Sequence, residues 1–253
     1  MIDLHCHILP GVDDGPADLE ASLELARAAV AAGTTTMVAT PHADSTFRVG
    51  AGRRDAALAE LRPALAEAGI PLEVLPGSEI AIDVFLDLDA AERDALRLGG
   101  GPYLLLECPL AQAAGAFDDY LARLLGEGER IVLAHPERCP TFLRSPERLA
   151  RLVSGGALTS VTAGAFAGRF GSVPRRFALD MVRDGLIHSV ASDAHNTGSR
   201  PPGLGAELDE AGLGALRPWL TEAVPAAVLA GDRLPPMPYV EPPPPEKRRW
   251  WKR

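Results

Sequence analysis

About seven times between Met1 and Ala191, a short run of β-branched and aliphatic residues is followed by a stretch with helical spacing. Parallel strands cannot be joined by tight turns; they need long crossovers, usually helical. The alternation therefore limits the chain to an α/β fold with a parallel sheet. The strand-like runs are Met1–His7, Thr34–Thr40, Leu72–Leu75, Tyr103–Glu107, Ile131–Ala134, Leu158–Thr162 and Ile187–Ala191. Between them, Asp18–Ala32 places Leu19, Leu23, Leu25, Ala26 and Val30 near helical spacing, and Gly33 ends it. Arg53–Ala68, Phe117–Leu125, Pro146–Val153 and Pro174–Arg183 read as further helices, with two shorter ones in 206–230. One such series over about 230 residues suits a closed barrel of the TIM type, or a distorted relative, better than a doubly wound sheet.

Composition supports a packed body. Hydrophobic residues make up 47% and charged residues 23%, as expected of a chain that buries a core. No apolar run approaches the ~20 residues of a membrane helix. The start, MIDLHCHILPG, has no basic n-region, so no secretory signal is expected. Three cysteines, an odd number, point to a reducing compartment, the cytoplasm, and not to a disulfide scaffold. Net charge is −9, which disfavours nucleic acid as a partner. Residues 234–253 differ: they hold seven prolines and net charge +3, leaving −12 on residues 1–233. The expected organisation is one domain, 1–233, and a flexible Pro-rich, basic-aromatic tail, 234–253.

Five of the six histidines fall at or just past the end of a strand, beside acidic residues. His5 and His7 end the first strand, two apart and so on one face, with Cys6 pointing away. Asp13 and Asp14 follow in VDDG, and spacing alone does not choose between them. His42 follows the second strand, Glu79 the third; Glu107 ends the fourth, His135 the fifth, and Asp193 and His195 the seventh. In a barrel these ends converge on one mouth, where such folds place active sites. A lone His-x-His is a weak signal, and a lone acidic residue at a strand end can be a helix N-cap. Neither explains why nearly every strand ends in a ligand-type residue. Five imidazoles and four carboxylates exceed the needs of one ion; mixed N/O ligation suits two or three ions of Mn, Fe or Zn. His188 sits at the opposite end of its strand and reads as structural.

The motifs MIDLHCHILPGVDDGP, TPH, GSEI, ECP, AHPER and ASDAHN, in this order over residues 1–196, resemble the PHP (polymerase and histidinol phosphatase) family. Within it they are most similar to the metal-dependent protein-tyrosine phosphatases of bacterial capsule and exopolysaccharide systems. The resemblance implies a distorted TIM-like (β/α)7 barrel with a trinuclear centre, usually manganese, with Fe, Zn or Co as substitutes. It implies one ion on His5, His7, Glu79 and Asp193, a second on Glu79, Glu107 and His135, and a third on Asp14, His42 and His195. Glu79 would bridge, and Asp14 is favoured over Asp13. Arg138 and Arg200 match positions that hold substrate phosphate, and Cys139 stands at the pocket rim where relatives often carry an aromatic residue.

The expected activity is phosphomonoester hydrolysis, with a phosphotyrosine protein as substrate, above all a membrane-associated tyrosine kinase of a polysaccharide export system. Bound ions bring the pKa of water near neutral, and Arg forks neutralise phosphoryl oxygens. A phenolate, of pKa about 10, leaves without much help from a general acid. A cysteine phosphatase would need Arg six positions after Cys; Val12, Ala114 and Ser145 occupy those positions. The alternatives are a small-molecule phosphatase such as a histidinol-phosphatase, or a nuclease or non-catalytic regulatory module. In the tail, Pro242–Pro245 is expected to be an extended spacer, and KRRWWKR to give weak contact with an anionic membrane surface.

Overall fold

Among the described residues, nine parallel strands build the barrel, but they make only seven staves. In the computed structural model, which describes residues 1–110 and 116–239, the strands are β1 (Ile2–Cys6), β2 (Thr36–Ala39), β3 (His42–Ala43), β4 (Glu73–Pro76), β5 (Glu79–Ile80), β6 (Tyr103–Glu107), β7 (Arg130–Ala134), β8 (Leu158–Thr162) and β9 (Ser189–Ala191). They form a three-stranded sheet, β1-β2-β4, and a six-stranded sheet, β3-β5-β6-β7-β8-β9. β3 continues the line of β2 after Pro41, and β5 continues that of β4 after Gly77. Pro41 has no N–H for a ladder, so the second stave breaks there. Gly77 leaves no room for a side chain: a Cβ would lie 2.6 Å from Val38 Cγ1. Pairing resumes with His42 opposite Glu79, and Glu79 opposite Leu105.

The barrel closes between its first and last strands. Cys6 bridges Ala194, His7 N–H donates to Ala194 O at 2.9 Å, and Asp193 N–H donates to His5 O at 2.9 Å. Asp3, fully buried on β1, accepts from the N–H groups of Ser192 and His5 through Oδ1. The closure thus puts the two His-rich strand ends, 5–7 and 193–195, side by side.

The helices cover the outside. Leu19–Ala31 starts at Asp18, whose side chain accepts from Ala21 N–H, and buries Leu23, Leu25, Ala26 and Ala29. With Ala51–Glu67 it packs over the three-stranded sheet, where Cys6, Met37 and Ala39 enclose one apolar cluster. A larger cluster lies around the six-stranded sheet, with Leu104–Leu106, Ile131–Leu133, Phe142, Phe166 and Met181. Two short helices that the periodicity did not indicate, Ile82–Asp87 and Ala90–Ala95, follow β5; the second is fixed by a capping box between Asp89 and Glu92. Leu234 and Met237 pack on the larger cluster, and Trp219 Nε1 donates to Pro235 O at 3.0 Å. The Pro-rich segment therefore starts against the body; Pro242–Pro245 and KRRWWKR lie outside the described residues. No helix among the described residues is long and apolar enough to cross a membrane.

Candidate metal centre

The barrel mouth brings all nine ligand candidates into one region. At its floor, His5 Nε2 lies 3.2 Å from His7 Nε2, 3.2 Å from Glu79 Oε2 and 3.4 Å from Asp193 Oδ1. His7 Nε2 lies 3.3 Å from Glu79 Oε2 and 3.7 Å from Asp193 Oδ1. A second group gathers Asp14, His42 and His195, with His7 behind them: Asp14 Oδ1 is 3.1 Å from His195 Nε2 and 3.4 Å from His42 Nε2. The third gathers Glu107 with Glu79 and His42. His135 meets Glu79 directly, Nε2 to Oε1 at 2.7 Å. Glu79 is the hub, since His5, His7 and His42 all converge on its Oε2 while His135 holds Oε1. Glu107 is thus grouped with His42 through Glu79, whereas the resemblance paired it with His135.

These donors suit cations better than one another. His42 Nδ1, Glu79 Oε2, Asp193 Oδ1 and His195 Nε2 are buried and make no hydrogen bond of acceptable direction, although each has a charged or polar neighbour within reach. Buried polar atoms without partners are rare and call for an explanation. Donors about 2.1 Å from a common ion lie about 3.0 Å apart in an octahedral shell and about 3.4 Å apart in a tetrahedral one. The floor separations, 3.2 to 3.7 Å, fall around these values. Burial and the neighbouring Glu79 charge also push the Glu107 carboxyl up to about 7. Burial pushes His7 down, yet Asp13 and Glu79 outweigh it and bring it up to about 9. Burial also works against Glu79 and Asp193, but the surrounding imidazoles hold both below the usual carboxylate range. The donor set fits divalent ions with mixed N/O ligands.

Two of the four non-glycine residues with positive φ among the described residues lie at this place. His135 (φ +37°) and Asp193 (φ +52°) adopt left-handed conformations that non-glycine residues avoid. Such residues tend to cluster at functional sites, at a cost of about 1–3 kcal/mol each.

Both arginines reach the centre. Arg138 Nη1 donates to Asp193 Oδ2 at 2.6 Å, and Arg200 Nη2 lies 2.6 Å from Asp193 Oδ1. The Arg138 guanidinium rests on the Phe170 ring, 4.5 Å from its centroid. Phe170 carries no motif, so nothing local in the sequence points to it. Asp13 also went unassigned: it binds the far nitrogen of His7, while Asp14 faces His42 and His195. Cys139 is not at the rim. It is fully buried in the larger core cluster, because the turn 136–138 directs it inward beside Phe142.

The family model for capsular polysaccharide synthesis, CpsB/CapC, matches residues 1–210. The chain belongs to this family. It is 42% identical over 202 residues to tyrosine-protein phosphatase YwqE of Bacillus subtilis, covering 79% of each chain. It is 29% identical over 213 residues to tyrosine-protein phosphatase CpsB of Streptococcus pneumoniae, covering 80% of this chain and 86% of that one. Among solved structures it matches one from the work on Bacillus subtilis YwqE and Streptococcus pneumoniae CpsB, described as metal-dependent tyrosine phosphatases. The TM-score is 0.81 at 35% identity, over 98% of this chain and 100% of the other. A β-aspartyl dipeptidase of Fervidobacterium islandicum, at TM-score 0.59 and 16% identity over 90% and 72% of the chains, shares the fold alone. The barrel class and the family read from the motifs both agree with these matches.

Proposed function

We propose that this CpsB/CapC chain is a metal-dependent protein-tyrosine phosphatase. The observation that carries the reading is the convergence of four imidazoles on the buried carboxylate of Glu79, with two arginines on Asp193 beside it. His5, His7, Glu79 and Asp193 would hold one ion, Asp14, His42 and His195 another, and Glu107 and His135 with Glu79 a third. Manganese is the expected ion. When bound, such ions supply a water nucleophile at neutral pH and offset charge on phosphoryl oxygens.

The chain's own groups do the rest. A guanidinium has five N–H donors; Arg138 and Arg200 each turn one nitrogen onto Asp193, and Arg200 Nη1 lies 3.9 Å from Asp14 Oδ2. Donors of both guanidinium groups would grip the phosphoryl oxygens; Arg200 Nε, buried, has no hydrogen-bond partner. Phe170 holds the Arg138 plane in place. Among the described residues the thiols cannot be the nucleophile: burial pushes Cys6, Cys108 and Cys139 up, away from thiolate. A phosphotyrosine protein fits as substrate because phenolate needs little protonation to leave. A tyrosine kinase of a polysaccharide system is the natural partner, and the cytoplasm, which the three unpaired thiols suit, the compartment.

The test is hydrolysis of a phosphotyrosine peptide, histidinol phosphate and single-stranded DNA with and without Mn²⁺. The peptide should be cleaved fastest. Activity should vanish with a chelator, return with Mn²⁺ and survive thiol alkylation. Activity that survives chelation but not alkylation would reject the reading.

A further inference from the structure

We propose that Asp13 is a positioning residue that aligns two metal-ligand candidates at once, the ring of His7 and the backbone of His42. The inference rests on the metal-centre reading above. Asp13 Oδ2 accepts from His7 Nδ1 at 2.7 Å and from His42 N–H at 3.1 Å. Its Oδ1 accepts from Gly15 N–H at 3.0 Å. The Asp13 and His7 side chains are both 0% exposed, so water cannot replace these contacts.

The consequence for His7 follows from the chemistry of the ring. An ionised carboxylate only accepts, so the proton facing Asp13 must be on His7 Nδ1. In the neutral ring this leaves the lone pair on Nε2, the atom that faces His5, Glu79 and Asp193. The same Asp13 oxygen fixes His42 through its backbone, and His42 belongs to the other two groups. One carboxylate thus keeps the floor of the centre in register with its rim. The loop that carries it is built for this contact. A Cβ on Gly15 would lie 2.5 Å from His7 O and 3.0 Å from Asp13 Oδ1, so only glycine lets the chain turn back so close.

Asp13→Asn keeps the shape and removes the function. The amide has one acceptor end and one donor end. If the donor end faces Gly15 N–H, two donors oppose there. If it faces His7 and His42 N–H, the His7 proton is driven to Nε2 and the His42 contact becomes repulsive. Either way, the alignment is weakened without a cavity.

Metal-free wild type and Asp13→Asn are titrated with Mn²⁺ by calorimetry, with bound metal counted after dialysis and folding checked by circular dichroism. The folded variant should bind Mn²⁺ about 10–100-fold more weakly and retain fewer ions. Equal affinity and stoichiometry in the folded variant would overturn the role of Asp13 and leave the metal centre standing. Failure of the wild type to bind Mn²⁺ would overturn both. Should the variant not fold, nitrogen NMR of histidine-labelled wild type loaded with Zn²⁺ decides. A proton on His7 Nδ1 with the metal on Nε2 supports the role; metal on Nδ1 overturns it.

Discussion

The floor and the rim of the metal centre hold similar residues in opposite surroundings. His5, His7, Glu79 and Asp193 have side chains no more than 2% exposed, and all sit on strand ends or directly beyond them. At the rim, the Asp14 side chain is 47% exposed and that of His42 14%, while His195 behind them is only 2% exposed. Asp14 comes from a loop and faces His42, His195 and Arg200. In the dry floor, charges interact strongly and cannot be left unbalanced. There the protein holds its ligands by barrel closure, a shared hub at Glu79 and the Asp13 clamp. From this contrast we expect an ion held at the floor to be retained and an ion held at the rim to exchange.

Metal content and rate measured together can break this comparison. Glu79→Ala should have the largest effect, because it removes the hub of both floor and rim. We expect loss of at least one ion and a fall in kcat/KM of more than about a hundredfold, beyond the range of outer partners. Wild-type metal content in this variant would reject the bridge. Asp14→Asn should lose only the rim ion, keep the floor ions after dialysis, and recover part of its rate at high Mn²⁺. If both variants lose the same number of ions, the floor and rim are one cooperative unit and the distinction falls.

A smaller effect is expected from Arg138→Ala. Arg138 touches Asp193 only through its outer oxygen, Oδ2, so the ligand frame should stay intact. Losing one oriented donor to a developing phosphoryl charge costs about 10²-fold in kcat. Metal content should match wild type, and Arg138→Lys should recover little, since an ammonium neither forks nor stacks on Phe170 as a guanidinium does. A variant that loses metal would show instead that Arg138 holds the floor together.

Much of this contrast is legible in the residues, and the reasons are local. The period of two along a strand puts His5 and His7 on one face, and the barrel brings strand ends together; both follow from spacing and topology. Asp13 and Asp14 were not separable from spacing, because adjacent residues in a tight loop differ only in where the backbone turns. That turn depends on Gly15 pressing against His7, a contact between segments. Phe170 was hidden for the same reason, since its partner Arg138 is far off in sequence. Cys139 shows the limit of matching positions: the motif places the residue, but a turn decides which way it faces. Composition drew the tail at residue 234, yet Leu234 and Met237 find apolar partners on the body that composition cannot see.

The smallest effect tests the end of the barrel that the metals do not touch. His188 lies just before β9, and its Nδ1 accepts from Thr159 N–H at 3.2 Å. Burial pushes it down to about 4. An unfolded histidine titrates near 6.5. Above pH 6.5 both states are neutral and the contribution is complete. Between pH 6.5 and about 4 the unfolded chain binds a proton that the folded one does not, so stability falls as pH falls. The slope from this group is at most about 1.4 kcal/mol per pH unit. His188→Gln can still accept from Thr159 but cannot take the proton. Its urea midpoint should drop less than that of wild type between pH 7 and pH 5, at equal metal concentration. Phosphatase rate at pH 7 should not change, since His188 is at the opposite end from Glu79. Equal drops in both proteins would show that His188 does not carry this part of the pH dependence.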